Sequence, residues 1–482
     1  MLEKRDFYIN GEWVAPAAPR DHEVIDPSTE EACAVISLGG EEDVNKAVAA
    51  AKAAFPGWMA TPVEERIALI EKFMEIYKSR SEDVAQAITM EMGAPLDLSR
   101  SAQWGAGYAH TKAFVKAAKA FDWIKPLGEH APDTMIVHEP VGVCALITPW
   151  NWPMNQISLK VIAAAIAGNT MVLKPSEESP LDAMIFAECL HEAGLPKGVF
   201  NLVNGDGAVT GSAMTAHPDV DMVSFTGSTR AGIAISQSAA QSLKKVHLEL
   251  GGKGANIVFA DADEKAVKRG VMQMMNNTGQ SCNAPSRMLV QREIYDQAVE
   301  TAAAAAEKVA VGDPHEGGRH IGPVVNEAQW NKIQGLIKTG IDEGARLIAG
   351  GLGRPDGMNR GYFVKPTVFA DVTNDMTIAR EEIFGPVLTM IPFETEDEAV
   401  EIANDTVYGL TNYVQTQDGA KANRVALRLR SGMVEMNGTP RGAGAPFGGM
   451  KQSGNGREAG VWGIEDFTEV KAIGGWAVDA AE

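Results

Sequence analysis

Cysteine is scarce in this sequence: four residues in 482, at positions 33, 144, 189 and 282, widely spaced and without a CxxC pair. So few thiols cannot staple a chain of this length, which excludes a disulfide scaffold, and no metal ligands are assigned. Long apolar runs are missing too. No stretch reaches the roughly 18 residues of a membrane helix, and the opening MLEKRDFYINGEW lacks the apolar core of a signal peptide, so a cytoplasmic location is expected. Basic residues are outnumbered, 43 Lys and Arg against 63 Asp and Glu. The resulting formal charge of -20 repels phosphate backbones and anionic lipid, so neither nucleic acid nor a membrane is expected as a partner. There is no low-complexity tract and no internal repeat of about 20–50 residues.

What is present suits a soluble globular protein, with 45% hydrophobic and 22% charged residues. The length exceeds what one hydrophobic core supports and implies two or three structural units. After strand-like FYINGEWV and VIDPSTEEACAVISL come two helical stretches, EDVNKAVAAAKAAF and VEERIALIEKFMEIYKSRSEDVAQAITMEMG, whose apolar residues recur at three and four. From residue 141 short β-rich runs alternate with helical segments: VGVCALITPW with SLKVIAAAIAGN, TMVLKPS with SPLDAMIFAECLHEAG, VFNLVNG with AVTGSAMTAH, MVSFTGS with TRAGIAISQSAAQS. Such alternation predicts βαβ units around a parallel sheet. A second βα-rich region follows, from about residue 252 to 440, including ANIVFADA, YFVKPTVFADV and AVEIANDTVYGL. The segment FDWIKPLGEHAPDTMIVHEP reads as an extended hairpin and the tail VWGIEDFTEVKAIGGWAVD as strand, both suited to an interface arm.

Ligands of such sheets sit outside the carboxyl ends of the strands, so the turns there carry the functional signal. The first turn offers Asn151, the second Lys174 and Glu177, the third Gly205, Asp206 and Gly207, the fourth Thr226, Gly227 and Ser228. The spacing in GDGAVTG is one residue longer than the usual dinucleotide fingerprint and is equally readable as a plain glycine turn. FTGST is the better phosphate turn, because Gly227 lets backbone amides approach a pyrophosphate and Ser228 offers a hydroxyl. A carboxylate at Glu177 can accept from a ribose 2′-hydroxyl, which favours NAD over NADP; it reads equally as an exposed charged turn. Among the thiols, Cys33, Cys144 and Cys189 lie in apolar contexts, whereas Cys282 lies among small and amide residues in NNTGQSCNAPSR, just after a helical stretch. Local context alone does not separate a reactive thiol there from a polar-loop cysteine. Thiol chemistry needs a base, and Glu249, at a strand end in HLELGGK, is a candidate, although a lone glutamate there is more often a solvated or paired charge.

TPWNWP, LKPSE, FTGST, LELGGK, GQSC, EEIFGP and APFGGMKQSGNGREAG, in that order, resemble the aldehyde dehydrogenase superfamily over essentially the whole chain. The resemblance implies an α/β fold with a Rossmann-like cofactor domain (1–121 and 141–251), a second α/β catalytic domain (252–455) and a β-strand oligomerisation arm (122–140 and 456–482). It implies NAD-dependent oxidation of an aldehyde, with Cys282 as nucleophile, Asn151 holding the oxyanion and Glu249 as base for hydrolysis. Trp150, Lys174, Glu177, Gly207, Phe225, Thr226, Gly227, Ser228, Leu250, Glu382 and Phe384 are the implied cofactor residues. Trp152, Gln156, Ser281 and Asn283 would line the substrate pocket, and Lys160 and Glu458 would form a proton path behind Glu249. Gln156 and Asn283 suit a polar tail while Trp152 suits an apolar one, and GQSCNAP resembles relatives acting on ω-oxo fatty acids. A homodimer or homotetramer is expected. Release of the acyl group to coenzyme A and a non-catalytic role remain as alternatives, against which stand Glu249 and the full set Cys282, Glu249 and Asn151.

Overall fold

A computed structural model describes residues 1–477; the final stretch of the expected arm, 478–482, lies outside the described residues. The chain is α/β, as its alternation predicts. Strands Val143–Ile147, Thr170–Lys174, Phe200–Leu202, Met222–Thr226 and Lys245–Glu249 run parallel in one eight-stranded sheet. The strands Val143–Ile147, Thr170–Lys174 and Met222–Thr226 are buried at every residue, because helices cover both faces. The order across the sheet places Val143–Ile147 between Thr170–Lys174 and Met222–Thr226. The chain therefore winds outward one way through residue 202, then returns to wind the other way from residue 222. That reversal leaves a crevice outside the carboxyl ends of Val143–Ile147 and Met222–Thr226, where ligands of such sheets bind.

Residues 250–254 carry the chain directly from the carboxyl end of Lys245–Glu249 into Ala255–Val258, the first strand of a seven-stranded sheet. The carboxyl edge of the first sheet therefore faces the amino edge of the second. Cys282, five residues before the strand Arg287–Gln291, lies on that amino edge. Opposite it are the turns after Ile147, Thr226 and Glu249, so the connectivity alone brings the nucleophile candidate to the crevice.

Three segments depart from the sequence reading. The long helical stretch breaks at Arg80 into Val63–Ser79 and Ser81–Met92, the second ending at left-handed Gly93. VWGIED is helical, Gly460–Asp466, with only Thr468–Gly474 forming strand. There packing overrides local β preference: Ile464 is buried, and a Cβ on Gly463 would lie 2.9 Å from the Phe114 ring, so the segment is clamped on the neighbouring helix. In YFVKPTVFADV only Thr367–Ala370 is strand, since Pro366 cannot donate to a ladder. Thr134–Pro140 pairs antiparallel with both Ile124–Pro126 and Thr468–Gly474 in a separate three-stranded sheet. Among the described residues no helix is long and apolar enough to cross a membrane.

Candidate active site

The loop carrying Cys282 is held in a strained conformation. Asn277 (φ 50°), Thr278 (φ 56°) and Gly279 (φ 71°) are three consecutive left-handed residues. A non-glycine residue there costs about 1–3 kcal/mol, so the surroundings must compensate. Asn277 Nδ2 donates to the Asn151 carbonyl at 2.9 Å and Thr278 Oγ1 to the Gly322 carbonyl at 3.1 Å. Gln280 Oε1 accepts from the Val325 backbone at 3.0 Å. At Gly279 a Cβ would meet the Gly385 carbonyl at 2.1 Å, which only glycine tolerates. Asn151, buried after the strand Val143–Ile147, donates its amide to the Gln280 carbonyl at 2.9 Å, two residues from the thiol. Gln103 Nε2 in turn donates to the Asn151 carbonyl at 2.9 Å. Gln103, Asn277 and Gln280 were not singled out from sequence; the amide-rich composition of NNTGQSC was the available signal.

Two cavities converge on this loop, and Cys282 and Gln156 border both. One, of about 430 Å³, is walled by Trp152, Ser281, Asn283 and a stripe of Ala102, Ala106, Ala109 and Ala113. That spacing of three and four residues on one helix face was a readable sequence signal, as was its smallness. Trp152 Nε1 donates to Ser281 Oγ at 2.7 Å, Gln156 Oε1 accepts from Thr226 Oγ1 at 3.1 Å, and the Asn283 carbonyl accepts from Tyr413 at 2.6 Å. His110, Asn155 and Arg441 border the same cavity and were missed.

The second cavity, of about 160 Å³, occupies the crevice at the sheet reversal. It brings together Trp150, Asn151, Thr226, Gly227, Ser228, Glu249, Leu250, Glu382 and Phe384, and adds Gln329 and Lys332, which sequence reasoning did not find. Trp150 and Phe384 meet edge to face, 5.5 Å apart, with Phe384 itself at φ 61°. Ser228 caps the helix Thr229–Ala239 through Ala231, leaving a helix N-terminus at the cavity. Glu382 accepts the Gly252 backbone N–H at 2.8 Å, and burial pushes its carboxyl up. Phe225 does not border the cavity; its ring lies beneath Gly227, where a Cβ would be 2.4 Å from it. Lys174, Glu177 and Gly207 also lie outside the lining. Lys174 is buried with its ammonium donating to the Pro175 and Gly205 carbonyls, and Glu177 reaches it at 3.6 Å.

The cavity has the features a dinucleotide needs: a helix N-terminus for phosphate with Ser228 at its cap, two aromatic faces, and a Gln329 amide oxygen that is buried without a partner.

Glu249 borders the second cavity and is buried, with neither carboxyl oxygen hydrogen-bonded. Burial and the Glu458 charge push its carboxyl well above the usual range. Burial likewise pushes the Cys282 thiol up, with Glu382, Glu249 and Glu458 adding to the effect. Behind Glu249, Lys160 Nζ lies 2.5 Å from Glu458 Oε1, both fully enclosed. The glycines of LELGGK are required by close approach: a Cβ on Gly251 would meet the Glu382 carboxylate at 2.5 Å, and one on Gly252 the Cys282 carbonyl at 2.3 Å. Gly252→Ala should therefore displace the thiol loop and lower turnover by about 10²-fold with an unchanged circular dichroism spectrum.

The model of the aldehyde dehydrogenase family matches residues 13–473. The chain belongs to that family. An aldehyde dehydrogenase from Bartonella henselae shares 59% identity and superposes with a TM-score of 0.98, covering 99% of this chain and 100% of that one. A 3-succinoylsemialdehyde-pyridine dehydrogenase from a Pseudomonas species is 51% identical over 99% of both chains. Aldehyde dehydrogenase C of Pseudomonas syringae, solved as a cysteine-to-alanine variant with NAD+ and octanal, is 49% identical at a TM-score of 0.96, covering 99% of this chain and 98% of that one. This aldehyde dehydrogenase therefore matches its relatives along nearly its full length in both sequence and fold.

Proposed function

We propose that this aldehyde dehydrogenase oxidises its substrate to a carboxylate with Cys282 as covalent nucleophile, NAD as oxidant and Glu249 as base for hydrolysis. The observation that carries the reading is the meeting of two cavities at one thiol, the first open to a substrate and the second bordered by Glu249. Cys282 loses its proton to solvent and Sγ bonds to the aldehyde carbon, the C=O π electrons passing to the carbonyl oxygen, which takes up the charge. Asn151, whose amide already points at the thiol loop, holds that oxygen; a donor so placed is worth about 10²–10³ in rate. The dinucleotide, when bound, supplies the acceptor for the hydride that leaves the carbon. Trp150, Phe384, Glu382, Gly227 and Ser228 would hold it in the crevice, with Thr226 and Leu250 beside them; Lys174 and Glu177, at the neighbouring strand end, would meet the adenosine ribose, and Gly207 and Phe225 shape the turns. Glu177 repels a 2′-phosphate, which disfavours NADP. Glu249 then takes a proton from water as its oxygen bonds to the thioester carbon and the C–S bond breaks.

The alanine stripe favours an extended, unbranched aldehyde, the class to which the octanal bound by the Pseudomonas syringae relative belongs. Trp152 and Ser281 bond to one another and Gln156 Oε1 to Thr226, so these three shape the cavity wall, while Asn283 meets Tyr413 through its backbone carbonyl and keeps its side chain for a polar tail. Octanal should exceed acetaldehyde in kcat/KM by about tenfold or more, since each buried methylene contributes about 0.8 kcal/mol. Product analysis with and without coenzyme A tests the hydrolytic outcome: a free carboxylate is expected in both, and acyl-CoA formed at a comparable rate would overturn it. Four unpaired thiols suit a reducing cytoplasm. A homodimer or homotetramer through the sheet built on Thr134–Pro140 is supported by exposed Ile124 and Val470 on it and exposed Leu127 just after its first strand.

A further inference from the structure

One buried imidazole is not used by the mechanism above. His247 stands two residues before Glu249 on the strand Lys245–Glu249, so both side chains project from the same face. The ring is 2% exposed, and its two nitrogens meet different surroundings. Nδ1 contacts the carboxylate of Asp466, the last residue of the helix Gly460–Asp466. Nε2 has no hydrogen-bond partner and lies 3.6 Å from Glu249 Oε1 and 4.0 Å from Glu458 Oε1. The ring is boxed in: a Cβ on Gly456, at φ 81°, would come within 2.8 Å of His247 Nδ1 and 2.9 Å of Asp466 Oδ2.

We propose that His247, oriented by Asp466, stores the proton that Glu249 removes from the hydrolytic water. This rests on the Cys282–Glu249 reading above. A carboxylate at Nδ1 fixes the proton on that nitrogen, leaving the Nε2 lone pair facing Glu249. Glu458 is the less available acceptor, because the Lys160 ammonium already occupies its Oε1 at 2.5 Å. The 3.6 Å separation closes by rotation of the unpartnered Glu249 carboxyl; catalytic contacts are often this long before substrate binds. The water O–H bond breaks and its proton passes through Glu249 to Nε2. The water oxygen bonds to the acyl carbon, the C–S bond breaks and its electron pair stays on Cys282. The acid diffuses out and ionises in solvent, and the stored proton returns through Glu249 to the thiolate. Asp466, Glu249 and Glu458 stabilise the transient imidazolium, while Lys160, Lys245 and Arg457 oppose it. At rest, burial and these cations hold the ring neutral, so it carries the proton only while the ionised carboxylates of Glu249 and Asp466 flank it.

The test isolates deacylation without any dinucleotide. Acetylation of the full-length enzyme by p-nitrophenyl acetate is followed by mass spectrometry of the acetyl-Cys282 adduct across a pH series. In the wild type two groups must be deprotonated, so log rate should fall on the acid side with a slope approaching about two. His247→Gln should acetylate normally, hydrolyse about tenfold more slowly, and fall with a slope of about one. Asp466→Asn, at a partly exposed helix end, should give the same change in slope and serves if the buried variant does not fold. A purely structural imidazole would lower Tm and leave the slope unchanged, which overturns the proposal. Glu249→Gln separates the two levels. If it hydrolyses the adduct at the wild-type rate, the underlying base assignment fails and the storage role with it; if it does not, yet His247→Gln and Asp466→Asn behave as wild type, only the storage role fails.

Discussion

Cys282→Ser should reduce NADH formation from every aldehyde that the wild type oxidises by about 10³-fold or more. The substitution keeps the size of the side chain and the loop that holds it, so the Asn277 and Thr278 contacts and the Asn151 bond to the Gln280 carbonyl persist. What changes is the chemistry. A hydroxyl ionises far less readily than a thiol, and an ester oxygen leaves less readily than a thiolate, so both formation and breakdown of the covalent species slow. The local environment does not offset this, because burial and three neighbouring carboxylates already disfavour an anion at that position. Progress curves at saturating octanal and NAD measure the effect. A rate within tenfold of wild type would mean that another group forms the bond to the substrate.

Glu249→Gln should separate the two halves of the reaction. The amide fills the same space but cannot take a proton, so the first turnover proceeds and hydrolysis stalls. The expected trace is a burst approaching one equivalent of NADH, then a steady rate lowered by about 10²–10⁴, with an acyl adduct on Cys282 visible by mass spectrometry. If the burst disappeared together with the steady rate, Glu249 would be acting on the thiol rather than on the water. The pH dependence has a definite sign. Burial and Glu458 push the Glu249 carboxyl up, and burial pushes the Cys282 thiol up, so the protonated, inactive forms of both persist to higher pH than usual. Log kcat should therefore rise with pH through neutrality, and the Glu249→Gln burst rate should retain only the rise due to the thiol.

Much of this architecture was legible in the chain. Alternation of β-rich and helical runs required a parallel sheet, and the continuous apolar runs of VCALI and of MVL within TMVLK fit a sheet covered on both faces. Turn motifs flagged where ligand chemistry belonged, because a sheet of this kind exposes its carboxyl-end turns and buries the rest. VWGIED misled as a strand because its β-favouring residues are held helical by contacts more than a hundred positions away in sequence. Lys174 and Glu177 illustrate another limit: their place at the end of a strand was readable, but that the lysine ammonium would be taken by the Pro175 and Gly205 carbonyls was not.

By itself, then, the sequence determined the fold class, the family, and which turns carry polar chemistry, because periodicity and motif order are local or sequential properties. Only the tertiary structure decided that Cys282 lies where two cavities meet, that Glu249 has no partner for either oxygen, and that His247 and Asp466 stand behind it. Those facts depend on the short 250–254 connection setting the carboxyl edge of one sheet against the amino edge of the other, and on burial, which raises the proton affinity of Cys282 and Glu249 and lowers that of His247 by amounts no local pattern encodes.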